Sequence, residues 1–155
     1  MVVWDPPIRD YQFLYHELLP TIETVQRLGY PDFDADFLDS LMEGWATHCE
    51  EVWLPINMLG DRKGLKFKDG KITMPPEFKD AYRQGIDEGW LSTACEPEHG
   101  GMGVPLFFQA VFWAELGTSS CMSMSVLPAL SIGVYEILIK HGRQDLIDYF
   151  ATNLA

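Results

Sequence analysis

The longest regular pattern of apolar and polar positions runs from Leu38 to Trp53. Leu38, Leu41, Met42, Trp45, Cys49, Val52 and Trp53 step by 3, 1, 3, 4, 3 and 1 residues, which lays one apolar stripe along a helix of period 3.6. Asp34 or Asp36 stands where an N-cap belongs, and early acidic residues suit the positive end of the helix dipole. Pro55 removes one backbone donor, so the pattern predicts a helix that kinks there and runs to about Met58. Upstream, residues 1–9 with Pro6-Pro7 read as an extended arm. Asp10 caps a short helix to Leu19 whose Phe13, Leu14 and Leu18 recur at helical spacing. Pro20 interrupts it, and Ile22 to Leu28 adds a turn or two, ended by Gly29-Tyr30-Pro31.

From Gly60 to Pro76 the helical period gives way to a loop, in which Lys66 to Thr73 alternates around Asp69-Gly70, the signature of a small hairpin. A helix follows from about Pro76 to Glu88, with Phe78, Ala81, Tyr82 and Ile86 inward and Gly89 closing it. Then comes a turn, Cys95 to Pro105, with glycine at 100, 101 and 103. Such residues permit positive φ and close backbone approach, and Pro105 suits a first helical turn. The apolar helix 105–116 carries Leu106, Phe107, Phe108, Val111, Phe112 and Trp113 and is expected to stop at Gly117. A long helix from about Ser120 to Lys140 and a last one from Gln144 to about Thr152 complete the chain. The fold class is all-α: a helical bundle with one short β-hairpin near 66–73.

A length of 155 residues suits one domain, and 47% hydrophobic residues supply a core. The net charge of −12 argues against nucleic acid and against an anionic membrane surface, because both need a basic face. Charge is uneven. Asp32, Asp34, Asp36, Asp39, Glu43, Glu50 and Glu51 form an acidic stretch, and Arg62, Lys63, Lys66, Lys68 and Lys71 a basic one. Both read as solvated faces; the basic one also suits a phosphorylated ligand or a sister subunit. Cys49, Cys95 and Cys121 are odd in number and widely spaced, with no zinc or Cys-x-x-Cys pattern, so a reducing cytoplasm is expected. The N-terminus carries no signal-peptide pattern. Thr118 to Tyr135 is 18 residues without a charge, but its five serines, Pro128 and Gly133 make it too polar and too short for a membrane span. A helix buried on most sides of a soluble bundle is predicted instead.

Sites of direct chemistry are scarce. Gly101-x-Gly103 lacks the third glycine of a dinucleotide fingerprint, since Leu106 stands there. Glu96 and His99 form one Glu-x-x-His, whereas a di-iron bundle needs two such motifs and two further glutamates. No serine sits in a nucleophile elbow. No catalytic residue and no metal ligand is assigned. Phe108, Phe112, Met122, Val126, Leu127, Ala129 and Leu130 supply bulky apolar groups, while Ser119, Ser123, Ser125 and Gly133 leave space.

Read together and in order, several segments resemble one family. Pro97-Glu98-x-Gly100-Gly101-x-Gly103, after Glu88-Gly89-Trp90-Leu91 and before Trp113-Ala114-Glu115-Leu116-Gly117, resembles the N-terminal domain of an acyl-CoA dehydrogenase. Ser119 to Ser125 matches the start of that family's next helix. Lys140-His141-Gly142 with Asp148-Tyr149-Phe150 matches the domain's ending, and Leu54-Pro55-Ile56-Asn57 with Gly60 to Gly64 the end of its long first helix. Pro6 to Asp10 with Phe13, His16 and Glu17 resembles an N-terminal extension in a bacterial branch that includes methylthiopropanoyl-CoA dehydrogenases.

The resemblance implies an extension over 1–33 and the helical domain over 34–155, with the family's middle β domain and C-terminal domain absent from this chain. It implies an FAD-dependent oxidoreductase that converts an acyl-CoA to the 2,3-trans-enoyl-CoA, passes electrons to an electron-transfer flavoprotein and forms homo-oligomers. The acyl chain would lie between the helices matching 105–116 and 120–140, which makes Met122, Ser125, Val126 and Ala129 candidates for the pocket wall; they share one side of a helix. The family's catalytic glutamate and main flavin contacts belong to the absent domains, so this piece alone is expected to be inactive. The alternative is a non-catalytic helical module that binds a partner subunit or a lipid-like ligand.

Overall fold

The structure is a computed structural model that describes residues 4–155; residues 1–3, part of the expected arm, lie outside the described residues. Helix α1 (Ile8–Gln12) starts directly after Pro7 and widens into a π-wound turn over Phe13–Leu18. The expected arm is therefore shorter, and Asp10 lies inside the helix instead of capping it. Proline has no N–H to leave unpaired, so its position just before the first turn is inexpensive. Helix α2 (Thr21–Arg27) follows Pro20.

Helix α3 (Ala35–His48) is capped by Asp34, whose Oδ1 accepts the Phe37 N–H at 2.8 Å. It continues through a π-wound turn, Cys49–Trp53, into α4 (Leu54–Lys63). The wider turn lies just ahead of Pro55. Proline can neither bond nor tolerate the carbonyl four residues back, and the i→i+5 turn takes up the mismatch. The helix thus passes the proline and extends beyond the predicted Met58. Gly60 belongs to its interior, where the Phe78 ring packs against it, so the loop starts later than expected. Strands β1 (Lys66–Lys68) and β2 (Lys71–Thr73) pair antiparallel, with Phe67 opposite Ile72, and every residue in them is exposed. Helix α5 (Pro76–Asp87) buries Phe78 and Ala81, but Ile86 faces out and Gly85 takes the inner position against Leu91.

The glycine-rich turn closes on itself. Gly101 N–H donates to Glu96 O and Gly103 N–H to Cys95 O. A Cβ on Gly101 would lie 2.0 Å from the Cys95 carbonyl oxygen, so only glycine fits. The chain then enters a helix at Leu106, winds as a π-helix over Phe108–Trp113 and continues as α6 (Ala114–His141). Gly117 does not end it. Gly117 is buried where a Cβ would sit 3.1 Å from Trp53 and 3.3 Å from Trp45; it is small to admit two indoles, not to cap. The helical path breaks instead at Cys121, which is extended (φ −154°, ψ 90°). The stretches Phe108–Val126 and Pro128–His141 diverge by 79°, and Pro128 cannot bond to the Met124 carbonyl across that bend. Helix α7 (Gln144–Leu154) packs back on α6.

Helix α6 is less covered than its composition predicts. Leu116, Cys121 and Met124 are fully buried, but Leu130, Val134 and Ile137 are exposed in its second half. Among the described residues no single helix is long and apolar enough to cross a membrane.

The core is built on indoles. Trp45 stacks on Trp113 with ring centroids 4.8 Å apart and 11° between planes, and Trp53 meets both edge-on. Trp45 Nε1–H donates to Trp113 O (3.1 Å) and Trp113 Nε1–H to Trp90 O (2.8 Å). The buried apolar stripe of α3 joins this cluster, and so do Tyr11, Tyr15, Val25 and Phe33 from the N-terminal segment. His48 stacks on Trp45, with Nδ1 2.7 Å from Glu88 Oε2 and Nε2 buried without a partner. Burial holds its pKa below the ordinary 6.5, against the upward pull of Glu88, so Nδ1–H of the neutral ring donates to the carboxylate.

Two outcomes follow for stability. Trp45→Ala should cost about 3–5 kcal/mol, read as a lower urea midpoint by circular dichroism; an unchanged midpoint would show that the stack does not carry the core. The His48 shift also makes folding sensitive to acid. As pH falls through about 6.5 the unfolded chain takes up a proton that the folded ring resists, so stability declines from there towards the lower folded pKa. His48→Asn, which keeps a donor towards Glu88 but cannot titrate, should show a smaller loss of midpoint between about pH 7.5 and about pH 5.5 than the parent protein.

Candidate functional site

Pro105 starts one helix and Pro128 bends the next, so that the two face each other across an open groove of about 420 Å³. Leu106, Gln109, Ala110 and Trp113 form one wall. Ser125, Val126, Ala129, Ile132 and Gly133 form the other, with Thr118 and Glu136 also lining the groove. The lining is almost wholly apolar in character.

Three of the four residues expected to wall an acyl pocket, Ser125, Val126 and Ala129, come together here. Met122 does not line this groove. It lies largely exposed in an adjoining hollow of about 670 Å³, between α6 and residues of α4 and α5 such as Asn57, Gly60 and Phe78; Val126 borders both. Phe108 and Phe112 are fully buried in the core, and Leu130 points to solvent. The Leu127 side chain lies outside the described residues. Leu106, Gln109, Ala110 and Trp113 make a wall that the sequence pattern does not mark out as one. Their spacing of three, one and three residues is itself a helical face, a signal masked by the bulkier phenylalanines beside them.

Most polar groups on the groove are already paired. Ser125 Oγ–H donates to Met122 O (3.0 Å), Thr118 Oγ1–H to Ala114 O (2.6 Å), and Glu136 accepts from Lys140. Gln109 is different. It is 5% exposed, and neither its amide nitrogen nor its amide oxygen has a hydrogen-bond partner. An amide buried without partners costs about 1–3 kcal/mol.

The turn beside the groove is an anchor. Tyr135 Oη, from the second half of α6, accepts the Glu96 N–H at 2.9 Å and lies 2.8 Å from His99 Nδ1. His99 of the Glu-x-x-His pair is thus engaged with a phenol. Among the described residues no group of three or more His, Cys, Asp or Glu side chains converges. The cysteines are buried and unbridged; burial pushes the Cys49 thiol up to about 12 and Cys95 to about 11, which keeps both as unreactive thiols.

The order of these elements, from hairpin through glycine-rich turn to the paired helices, matches a known domain: residues 66–155 match the acyl-CoA dehydrogenase N-terminal domain. This chain belongs to the acyl-CoA dehydrogenase family. It is also 31% identical over 139 residues to a 3-methylmercaptopropionyl-CoA dehydrogenase of Ruegeria pomeroyi, a match covering 88% of this chain and 23% of that relative. The chain therefore spans about a quarter of the relative's length. Both walls of the groove lie within the part matched to the dehydrogenase domain, and a likeness over 88% of the chain also reaches upstream of residue 66 into α2–α4.

Gln109→Met keeps the volume and removes the unpaired amide. It should stabilise the fold by about 1 kcal/mol, seen as a higher urea midpoint. A lower midpoint would mean that the amide has partners in solution.

Proposed function

We propose that this chain forms the helical wall of the acyl pocket in an FAD-dependent acyl-CoA dehydrogenase, which oxidises an acyl-CoA to the 2,3-trans-enoyl-CoA. The observation that carries the reading is the apolar groove between Leu106–Trp113 and Ser125–Gly133, inside the matched domain. Ser125, Val126 and Ala129 would contact the chain, and Met122 would border it from the adjoining hollow. The likeness to a 3-methylmercaptopropionyl-CoA dehydrogenase favours short acyl groups, including sulfur-containing ones.

The grooves beside the paired helices do not suit the flavin itself. The three apolar grooves around α6 and α1–α2 offer no convergent set of donors for a diphosphate. When bound to the rest of such an enzyme, the flavin would accept the hydride. These residues would hold the acyl chain straight and exclude water from it. Val126, Leu130, Val134 and Ile137 of α6 are exposed apolar residues, the kind of surface that marks an interaction site where it is contiguous. Such a surface suits burial in a larger assembly; by family, that assembly would be a homo-oligomeric enzyme with residues 1–33 as an extension and an electron-transfer flavoprotein as electron acceptor. Three buried free thiols fit a cytoplasmic setting.

The test uses the protein at the length its source makes. Ala129→Phe should lower kcat/KM for the longer members of an acyl-CoA series about tenfold or more relative to the shorter ones. An unmoved chain-length preference would remove Ala129 from the pocket. A native product of 17.7 kDa that stays monodisperse and turns over no acyl-CoA would favour the non-catalytic helical module instead.

A further inference from the structure

We propose that the N-terminal segment is a strap that positions the first wall of the groove, with Tyr11 as a positioning residue that acts through Glu115; the proposal rests on the acyl-pocket reading above. Leu106, Gln109, Ala110 and Trp113 line the groove. Other residues of the same helix, outside that lining, are gripped by the segment ahead of α3. Phe107 meets Tyr15 with ring centroids 5.5 Å apart, and Phe112 meets Tyr11 at 4.8 Å, both edge-on. Tyr11 Oη–H donates to Glu115 Oε2, and Trp4 Nε1–H donates to Ser119 Oγ at 3.1 Å. Positions 107, 112, 115 and 119 fall on the side of the helix turned away from 106, 109, 110 and 113.

Packing alone does not set the wall on that side. Between the strap and the wall lies an apolar hollow of about 530 Å³, lined by Tyr11, Leu14, Tyr15, Val25, Phe107 and Val111 among others. Where a core is filled, its atoms hold each element in place; beside a hollow, discrete contacts must. Phe108, Phe112 and Trp113 still root the helix in the core. Glu115 and Ser119 stand on the stretch between the two walls, so bonds there set how the first wall is turned towards the second. The Tyr11 phenol stays a donor, because burial and the Glu115 carboxylate hold its pKa above the ordinary 10.0. A wall displaced by about 1 Å meets a bound chain differently, and a longer chain feels the shift more.

The experiment titrates propanoyl-CoA and hexanoyl-CoA by calorimetry into the protein at its native length and reads the ratio of their affinities. Tyr11→Phe keeps the ring and removes the donor. Glu115→Leu removes the acceptor at an exposed position and gives the same reading should the first variant fail to fold by circular dichroism. Each should lower the hexanoyl-CoA affinity about three- to tenfold relative to propanoyl-CoA. The double variant should shift the ratio no further than either single one, because both break the same bond. Glu115→Gln keeps an acceptor for the phenol and should hold the parent ratio. An unmoved ratio in both single variants, with or without a lower urea midpoint, marks a merely structural contact and overturns the proposal; the acyl groove then stands if Ala129→Phe still shifts the ratio. If Ala129→Phe leaves the ratio unmoved as well, or neither ligand binds, the acyl-groove reading falls and the proposal falls with it.

Discussion

Two indoles stacked face to face hold the domain together. Trp45 comes from α3 and Trp113 from the helix that leads into α6, 68 residues later in the chain. Stacking alone would let the helices slide. The Nε1–H of Trp45 bonds to the Trp113 carbonyl, and the Nε1–H of Trp113 bonds to Trp90, which fixes the register of three segments at one point. Trp113 also lines the groove. The core and the candidate binding surface therefore share a side chain.

The second wall depends on a different constraint. Beyond Pro128 the helix α6 turns away from the core and leaves much of its surface bare. Tyr135 ties it back. Its hydroxyl meets the backbone of Glu96 and the ring of His99, while Ala151 of α7 packs with Tyr135 and Cys95. The glycine-rich turn serves as the socket for this phenol. It can do so because Gly101 lets the chain pass against the Cys95 carbonyl.

The fold also tolerates a cost. The protein buries His48 with Nε2 unpaired and Gln109 with both amide atoms unpaired. His48 retains a strong contact to Glu88 and lies within the aromatic cluster, so its cost is set against packing. Gln109 has no such contact for its amide among the described residues, and its cost is set only against the packing around it.

Local physics made much of this protein legible from its residues. The 3.6-residue stripe of α3, the Asp34 cap, the Asp69-Gly70 hairpin, the start at Pro105 and the family itself all rest on neighbours close in sequence or on their order. Three of the four proposed wall residues share a groove because one helical face is a property of spacing alone. What the tertiary structure decided are matters of partner surfaces. Gly117 and Gly60 signal helix ends in sequence, yet each sits inside a helix because an aromatic ring arrives from far along the chain. Pro55 and Asp10 behave differently from their local preferences because π-wound turns and a Pro7 start absorb or pre-empt them. Gln109 in sequence is one polar residue in an apolar helix. That its amide has no partner is a statement about every atom around it, and no spacing rule along the chain can contain that.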